Sequence, residues 1–560
     1  MLTSERDTSP VSSPAPHAAG GRWTKWMLWL VAGVTLLRIA YLIWFCPYTL
    51  VEDEAHYWEW SRRLDWSYYT KGPGIAWTIG AWTWMFGAAE WAIRLPGAIA
   101  SGLTTLCVGL LAKRAFDSER AGFFAACATL ASPMFQSLGL MMTIDSPYAA
   151  CWALAMLAAQ RALGAGLAVQ REPRYWVLVG AAVGVGTLYK YTMLLSLVGL
   201  VLAAWALSRG EGATNLRSRR AGWGWGWGWV VGGLCAALLA ASPIVVWNVR
   251  EGWPTVAHLL GHLGLAGGDM PVTQSVDAGF HYNPMWTINY IITQAALLGP
   301  VLAIAGLVII KHWRTWWSDR GGAGGLFLVL NGLPILVFYL LVSVVAEPEG
   351  NWPLAGYITL VAIAGRGVDL YYSWSREVAS SRGGGLARWV RLLWHAAVII
   401  GCVLAVALPR LDWLARVPVV GRLVPAHRFM GADLMGQHVE RLLKELSAGD
   451  GSAGTFVVAL HYGRASQIAY YLPGRPTVYC ASSLLLSGRR TQYDYWPDTD
   501  LRVQQGLLGQ NAVALGGTEA AWLELFERVS LVGTLDGDGK KNRPAFLAYG
   551  FKGVPSEKGR

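Results

Sequence analysis

Runs of roughly twenty apolar residues, the length a helix needs to cross a bilayer, recur along the chain at about 26–45, 92–114, 121–139, 145–163, 226–247, 286–310, 325–346, 353–372 and 391–409. A longer apolar stretch from 175 to 207 is interrupted by Lys190 and fits two passes with a turn there, so the pattern predicts about eleven membrane helices. Gly74 to Phe86 is apolar but half a span long, and reads as a re-entrant or interfacial helix that does not cross. From about 411 the pattern shifts to short apolar strings at 456–460, 477–480, 512–515 and 529–532, with a helical stretch at 465–471. That alternation predicts a small α/β domain over 411–560, after a helical membrane part over 22–410. Residues 1–21 are polar, rich in Pro, Ser and Ala and without periodicity, as expected of a disordered tail. The first apolar run is too long for a signal-peptide core and lacks a small-residue cleavage site after it, so it reads as an uncleaved anchor.

Composition agrees with a membrane protein: 54% of residues are hydrophobic, 14% are charged, and there are 31 Trp. The formal net charge of +11 reads as cytoplasmic-loop bias rather than nucleic-acid binding, because of where the cations fall. With Gly74 to Phe86 left uncrossed, the basic loops around 113–120, 161–174, 209–220, 311–320 and 376–391 all share one side, while 251–285 on the other side contains no Lys or Arg. The sequence therefore predicts that the loop 46–91, Asp145, the Lys190 turn, the 248–285 loop, residues 347–351 and everything after about 410 emerge outside the cytoplasm. Alternating Gly and Trp from Gly222 to Trp229 suits an interfacial anchor. Five of the seven Cys lie in or against apolar spans; Cys46 and Cys480 do not, and could pair in an oxidising compartment.

Candidate chemistry collects on that outer face. Glu52, Asp53, Glu54 and Glu59 fall within eight residues just after the first span, and Asp145 opens a later one. Carboxylates are costly at the edge of hydrocarbon, so these positions suggest a task, and Lys190 inside its apolar stretch suggests the same. Each has a plain alternative: Asp53 and Glu54 could favour the first turn of a helix, Asp145 could cap one, and Lys71 before Gly72-Pro73 could be a solvated turn residue. His258 and His262 have the i, i+4 spacing a metal could use.

The order Asp53-Glu54, then Trp66-Ser67-Tyr68-Tyr69-Thr70-Lys71-Gly72-Pro73, Arg94-Leu95-Pro96 and Thr143-Ile144-Asp145-Ser146-Pro147 resembles the GT-C glycosyltransferases. So do Pro243-Ile244-Val245-Val246-Trp247-Asn248 with Trp253 and His258, and Asn351-Trp352-Pro353 with Tyr357. Within GT-C the chain is most similar to the bacterial members of the protein-mannosyltransferase family (family 39) and to their relative, the lipid A aminoarabinose transferase. The resemblance implies a GT-C membrane fold and transfer of a sugar from a polyprenyl-phosphate carrier to an acceptor hydroxyl, usually with inversion at the anomeric carbon. It implies catalytic roles for Asp53, Glu54 and Asp145, with Asp53 taking the hydroxyl proton. Lys71, Lys190 and Arg94 are then expected on the donor phosphate, and Tyr69, His258 and Asn351 as acceptor or loop contacts. Relatives often carry an acid where this chain has Thr70, which weakens the case for a metal site of their kind; no metal ligand is assigned and a divalent metal is left open.

The expected setting is the bacterial inner membrane, with the site and the tail domain periplasmic, the membrane lipid around it and an envelope glycolipid, protein or polysaccharide as acceptor. Two other readings fit the same residues: a transporter or flippase of lipid-linked sugars, and a transferase whose donor is a pyrophosphate-linked oligosaccharide. Against the transporter stand the grouping of charges at one face and the lack of an evident internal repeat.

Overall fold

The computed structural model describes residues 21–554 except 168, 211–225, 263–267, 270–281, 319–321, 373–383, 423, 450–453, 486–489 and 535–543. The expected tail at 1–20, the start of the Gly-Trp alternation, the His262 side chain and parts of the basic loops lie outside the described residues. In chain order come α1 (Arg22–Trp44), α2 (Glu52–Ser61), α3 (Gly74–Phe86), α4 (Glu90–Phe116), α5 (Glu119–Ala131), α6 (Pro133–Ser137), α7 (Asp145–Leu163), α8 (Tyr175–Tyr189) and α9 (Ser196–Gly210). They are followed by α10 (Trp227–Glu251), α11 (Pro254–His262), α12 (Pro284–Leu298), α13 (Pro300–Ser318), α14 (Ala323–Val342), α15 (Leu354–Tyr372), α16 (Gly384–Ala407) and α17 (Leu411–Leu414). Last come α18 (Ala432–Gly449) and α19 (Tyr462–Tyr471), set among the strands β1 (Thr455–Ala459), β2 (Tyr479–Cys480), β3 (Asn511–Leu515), β4 (Phe526–Thr534) and β5 (Pro544–Phe551).

Each expected span falls on helix. Among the described residues seven helices are long and apolar enough to cross a membrane, or eight if the bent pair α12 and α13 is one span. The remaining three expected spans, α5 with α6, α7, and α8, are shorter or less apolar. The run 286–310 is a correction: instead of one straight helix it bends by 99° between Leu298 and Pro300, because Gly299 takes a positive φ of 60° and Pro300, which lacks an N–H, restarts the helix. With thirteen residues, α3 extends only about 20 Å, too short to cross. Large apolar side chains such as Trp29, Leu37, Leu239 and Ile310 point outward, as they can only where the solvent is lipid.

The buried core of the bundle lies among α4, α5, α7, α13, α14 and α15, with Trp152, Phe327 and Tyr357 fully enclosed. The tail forms a five-stranded mixed sheet in the order β2-β1-β3-β5-β4, parallel across β2-β1-β3 and antiparallel across β3-β5-β4. The expected strands are present, and the pattern missed β5, whose alternation is broken by Pro544 and Gly550. A single apolar cluster joins Trp58, Trp60 and Ile75 of α2 and α3 to Val439, Ile468 and Val457 of the tail. Polar contacts tie the same seam: Gln467 Nε2 donates to Leu50 O at 2.8 Å, Leu50 N to the Tyr471 hydroxyl at 2.7 Å, and Tyr69 N to Gln492 Oε1 at 2.7 Å. Cys46 and Cys480 are both free, Cys46 beside Arg94 and Cys480 buried near Ser482, so the open disulfide pairing does not form.

Candidate active site

Four charged side chains from four segments meet where the bundle joins the tail domain. Asp145 begins α7 but does not cap it; its Oδ1 accepts from Lys190 Nζ at 2.8 Å and its Oδ2 from Asn351 Nδ2 at 2.5 Å. Lys190 is available because α8 ends at it: its backbone is extended, at φ −150° and ψ 123°, before a short 3-10 turn leads into α9. Its ammonium also lies 5.5 Å from the centre of the Tyr148 ring. The sequence placed a turn here and a functional Lys in it; Asn351, expected as a looser contact, instead reaches Asp145 directly.

Lys71 is carried to this pair by a close approach of backbones. A Cβ on Gly72 would lie 2.5 Å from Leu188 O, so only glycine lets the 66–73 segment pack against the end of α8. The result is a Lys71 ammonium within electrostatic reach of Lys190, Asp145 and Asp53. Burial, and then the like charge of Lys190, holds its pKa below the ordinary lysine value.

Asp53 stands across from it in the first turn of α2. It is open to a cavity of about 900 Å³ that also touches Met141, Tyr462, Arg464, His461, Arg428 and Phe429, yet it is surrounded closely enough by protein that burial, followed by the neighbouring Glu52, raises its pKa. Among the described residues no hydrogen bond or ion pair engages the Asp53 carboxyl or the Lys71 ammonium. One acid and one cation, both uncommitted, thus lie within electrostatic reach of each other and of Asp145, which is paired with Lys190.

Glu54 and Arg94, expected as a catalytic acid and a phosphate ligand, are engaged with each other. Glu54 is fully buried; its oxygens take Arg94 Nε at 2.9 Å, Arg94 Nη2 at 2.7 Å, Met142 N at 2.9 Å and Val51 N at 3.2 Å. Arg94 donates further to Tyr48 O and Thr49 O, each at 2.8 Å. A guanidinium has five N–H donors; the fifth is aimed at Cys46 Sγ at 3.5 Å, and these contacts leave none for a phosphate. The pair anchors the 46–51 segment and the start of α2, and removing one partner of such a buried pair typically costs about 3–5 kcal/mol. Glu54 therefore takes the first-turn role that the sequence held open for both acids, and Asp53 is left facing the cavity.

Tyr69 and His258 form the wall beyond Lys71. The Tyr69 hydroxyl donates to Asp269, whose Oδ2 lies 3.1 Å from His258 Nδ1, and the Tyr69 ring stacks on Tyr495 at 5.1 Å. Among the described residues no group of three or more His, Cys, Asp or Glu is placed to hold a metal. The sequence missed Tyr148, Asp269 and the tail-domain residues His461, Tyr462 and Arg464. Nothing local in Tyr462-Gly463-Arg464 indicates that Gly463 meets Glu52, where a Cβ would lie 2.6 Å from the Glu52 Cβ.

Residues 70–247 match the family described as dolichyl-phosphate-mannose-protein mannosyltransferase. The chain is 26% identical over 361 residues to the lipid A galacturonosyltransferase RgtD of Rhizobium johnstonii, a match that spans 63% of this chain and 67% of the relative. Both sequence matches are to glycosyltransferases. The fold is similar to that of ArnT from Cupriavidus metallidurans bound to undecaprenyl phosphate, with a TM-score of 0.60 and 17% identity over 94% of this chain and 98% of the other. Apo ArnT gives a TM-score of 0.56 at 15% identity over the same shares. In this multi-pass membrane glycosyltransferase the transporter reading gives way to an enzyme, and the clustered acids and lysines are its candidate machinery.

Proposed function

We propose that this glycosyltransferase moves a sugar from a polyprenyl-phosphate carrier to the hydroxyl of an envelope lipid, inverting the anomeric centre, at the periplasmic face of a bacterial inner membrane. Residues 22–410 form its membrane catalytic part and 411–560 a periplasmic domain that roofs the cleft. The observation that carries this reading is an uncommitted Lys71 ammonium within electrostatic reach of an uncommitted Asp53 carboxyl that lines a large cavity. Lys71, as a cation, receives the carrier phosphate and stabilises the charge that grows on it as the glycosidic bond breaks. Asp53 accepts the proton of the attacking hydroxyl. Asp145, fixed between Lys190 and Asn351, keeps the Lys190 ammonium aimed at the same phosphate. The match to a lipid A galacturonosyltransferase and the fold shared with ArnT bound to undecaprenyl phosphate support the carrier and the lipid acceptor.

The test is transfer from radiolabelled polyprenyl-phosphate sugars to extracted envelope lipids by purified protein. Asp53→Asn is expected to lower turnover by about 100-fold or more, the size of a general-base effect, with donor affinity retained, whereas Lys71→Ala weakens donor binding. Equal turnover of wild type and Asp53→Asn would remove Asp53 from its role.

A further inference from the structure

The cavity that Asp53 lines has a wall built by the sheet domain, and one residue of that wall carries a hydroxyl that its packing does not use. Tyr462 opens α19 shortly after β1 and lines the cavity together with Asp53, close enough for the two to interact electrostatically. Its ring is held between two imidazoles, with centroids 4.5 Å from His56 and 4.4 Å from His461. A phenylalanine would fill that slot equally well. Among the described residues no hydrogen bond engages the Tyr462 hydroxyl, and burial pushes its pKa above the ordinary tyrosine value, so the group stays an O–H donor. Its polar neighbours on the same wall are already engaged: Arg464 Nε and His461 Nδ1 lie 3.0 and 3.4 Å from the Glu52 carboxylate.

The position of Tyr462 is set from beneath by His56, which is buried one turn on from Asp53 in α2. Burial pushes the His56 pKa down to about 3, so the ring is neutral. Trp60 Nε1 donates to His56 Nε2 at 3.1 Å, which leaves the ring proton on Nδ1, where it is donated to Ser466 Oγ at 3.0 Å. The Ser466 hydroxyl gives its own proton to Tyr462 O at 2.9 Å and therefore accepts from the Tyr493 hydroxyl at 2.8 Å. One donated and two accepted bonds exhaust a serine hydroxyl, so these directions have a single consistent assignment. The same imidazole thus packs under the Tyr462 ring and, through Ser466, fixes the backbone that carries it.

We propose that Tyr462 is an acceptor-contacting residue, its hydroxyl donating to an oxygen beside the one that attacks, and that His56 is a positioning residue acting through it. The acceptor then presents two neighbouring oxygens, as a sugar or polyol headgroup does, one to Asp53 and one to Tyr462. This rests on the transfer reading above, in which Asp53 takes the acceptor proton. Acceptor rather than donor follows from the walls of the cavity: Asp53 and Tyr462 share them, and none of Lys71, Lys190 and Asp145 is among the described residues that line it.

The test uses the full-length protein in phosphatidylcholine nanodiscs, with a radiolabelled polyprenyl-phosphate sugar as donor and extracted envelope lipids as acceptor. Tyr462→Phe keeps the ring between the two imidazoles and removes only the hydroxyl. It is expected to raise the acceptor KM about tenfold, the size of one lost hydrogen bond, with donor KM and thermal unfolding unchanged. His56→Asn, which retains a donor toward Ser466 but withdraws the ring beneath Tyr462, is expected to raise the acceptor KM in the wild-type background and to add nothing in the Tyr462→Phe background. Equal acceptor KM for wild type and Tyr462→Phe overturns the proposal while transfer stands, as does a rise in donor KM alone; equal effects of His56→Asn in both backgrounds overturn the positioning role. If wild type transfers no sugar, the transfer reading fails, and retention of envelope lipid without donor, read by native mass spectrometry, decides the contact: weaker retention by Tyr462→Phe upholds it and equal retention overturns it.

Discussion

Asp53 and Glu54 are chain neighbours of the same chemical kind, and geometry gives them opposite work. Glu54 is closed into a network with Arg94 and two backbone N–H groups, whereas Asp53 is left without a partner beside a cavity. The pKa shifts of the free pair define a pH profile. Asp53 must be ionised to accept a proton, and its pKa is raised above the ordinary Asp value of about 3.9, so activity is lost as pH falls through that raised value. Lys71 must be protonated to hold phosphate, and its pKa is lowered from the ordinary value of about 10.4, so activity is also lost as pH rises through that lowered value. The kcat/KM of the free enzyme is therefore expected to trace a bell narrower than two unperturbed groups would give. Asp53→Asn should erase its acidic limb, and a limb that survives in that variant would assign it to another group.

At the scale of elements, the site depends on where helices stop. Lys190 reaches Asp145 because α8 ends at it in extended backbone, and Lys71 comes within electrostatic reach of both because Gly72 tolerates contact with Leu188 O. Gly72→Ala places a methyl where backbone already stands, and neither segment can yield as a flexible side chain would. The expected outcome is a fall in turnover of about 100-fold through displacement of Lys71, with thermal unfolding close to wild type because the core of the bundle is elsewhere. A variant with wild-type turnover would show that the 66–73 segment adapts and that its position is not critical. The Lys190 turn was legible in the sequence as a charge inside an apolar run. The Gly299–Pro300 bend was not read from it, since an apolar window averages over a break that two residues create.

For the whole molecule, the helical part and the sheet domain share one apolar cluster through α2, α3, α18 and α19, so the sheet domain is a wall of the cleft rather than an appendage. A chain ending after residue 410 would leave Trp58, Trp60 and Ile75 without their partners, and burying such side chains is worth about 1.5–3 kcal/mol each. This truncation is expected to lose monodisperse behaviour in detergent and all transfer activity. A monodisperse, active truncation, measured by size-exclusion chromatography and the transfer assay, would show that the cluster is dispensable.

The sequence by itself determined that this is a membrane helical protein with an α/β tail, because a bilayer demands long apolar runs and strands demand short ones. It also picked out Asp53, Asp145 and Lys190, since charges beside hydrocarbon are costly wherever they occur, and Lys71 through the family resemblance alone. Only the tertiary structure decided which of those charges are engaged and which are free. Arg94 has the same guanidinium whether it binds a phosphate or Glu54, and that choice depends on which oxygens from distant segments come within 3 Å. The joining of Tyr462 and Arg464 to the Asp53 cavity has the same origin, a contact between residues some four hundred positions apart that no local pattern encodes.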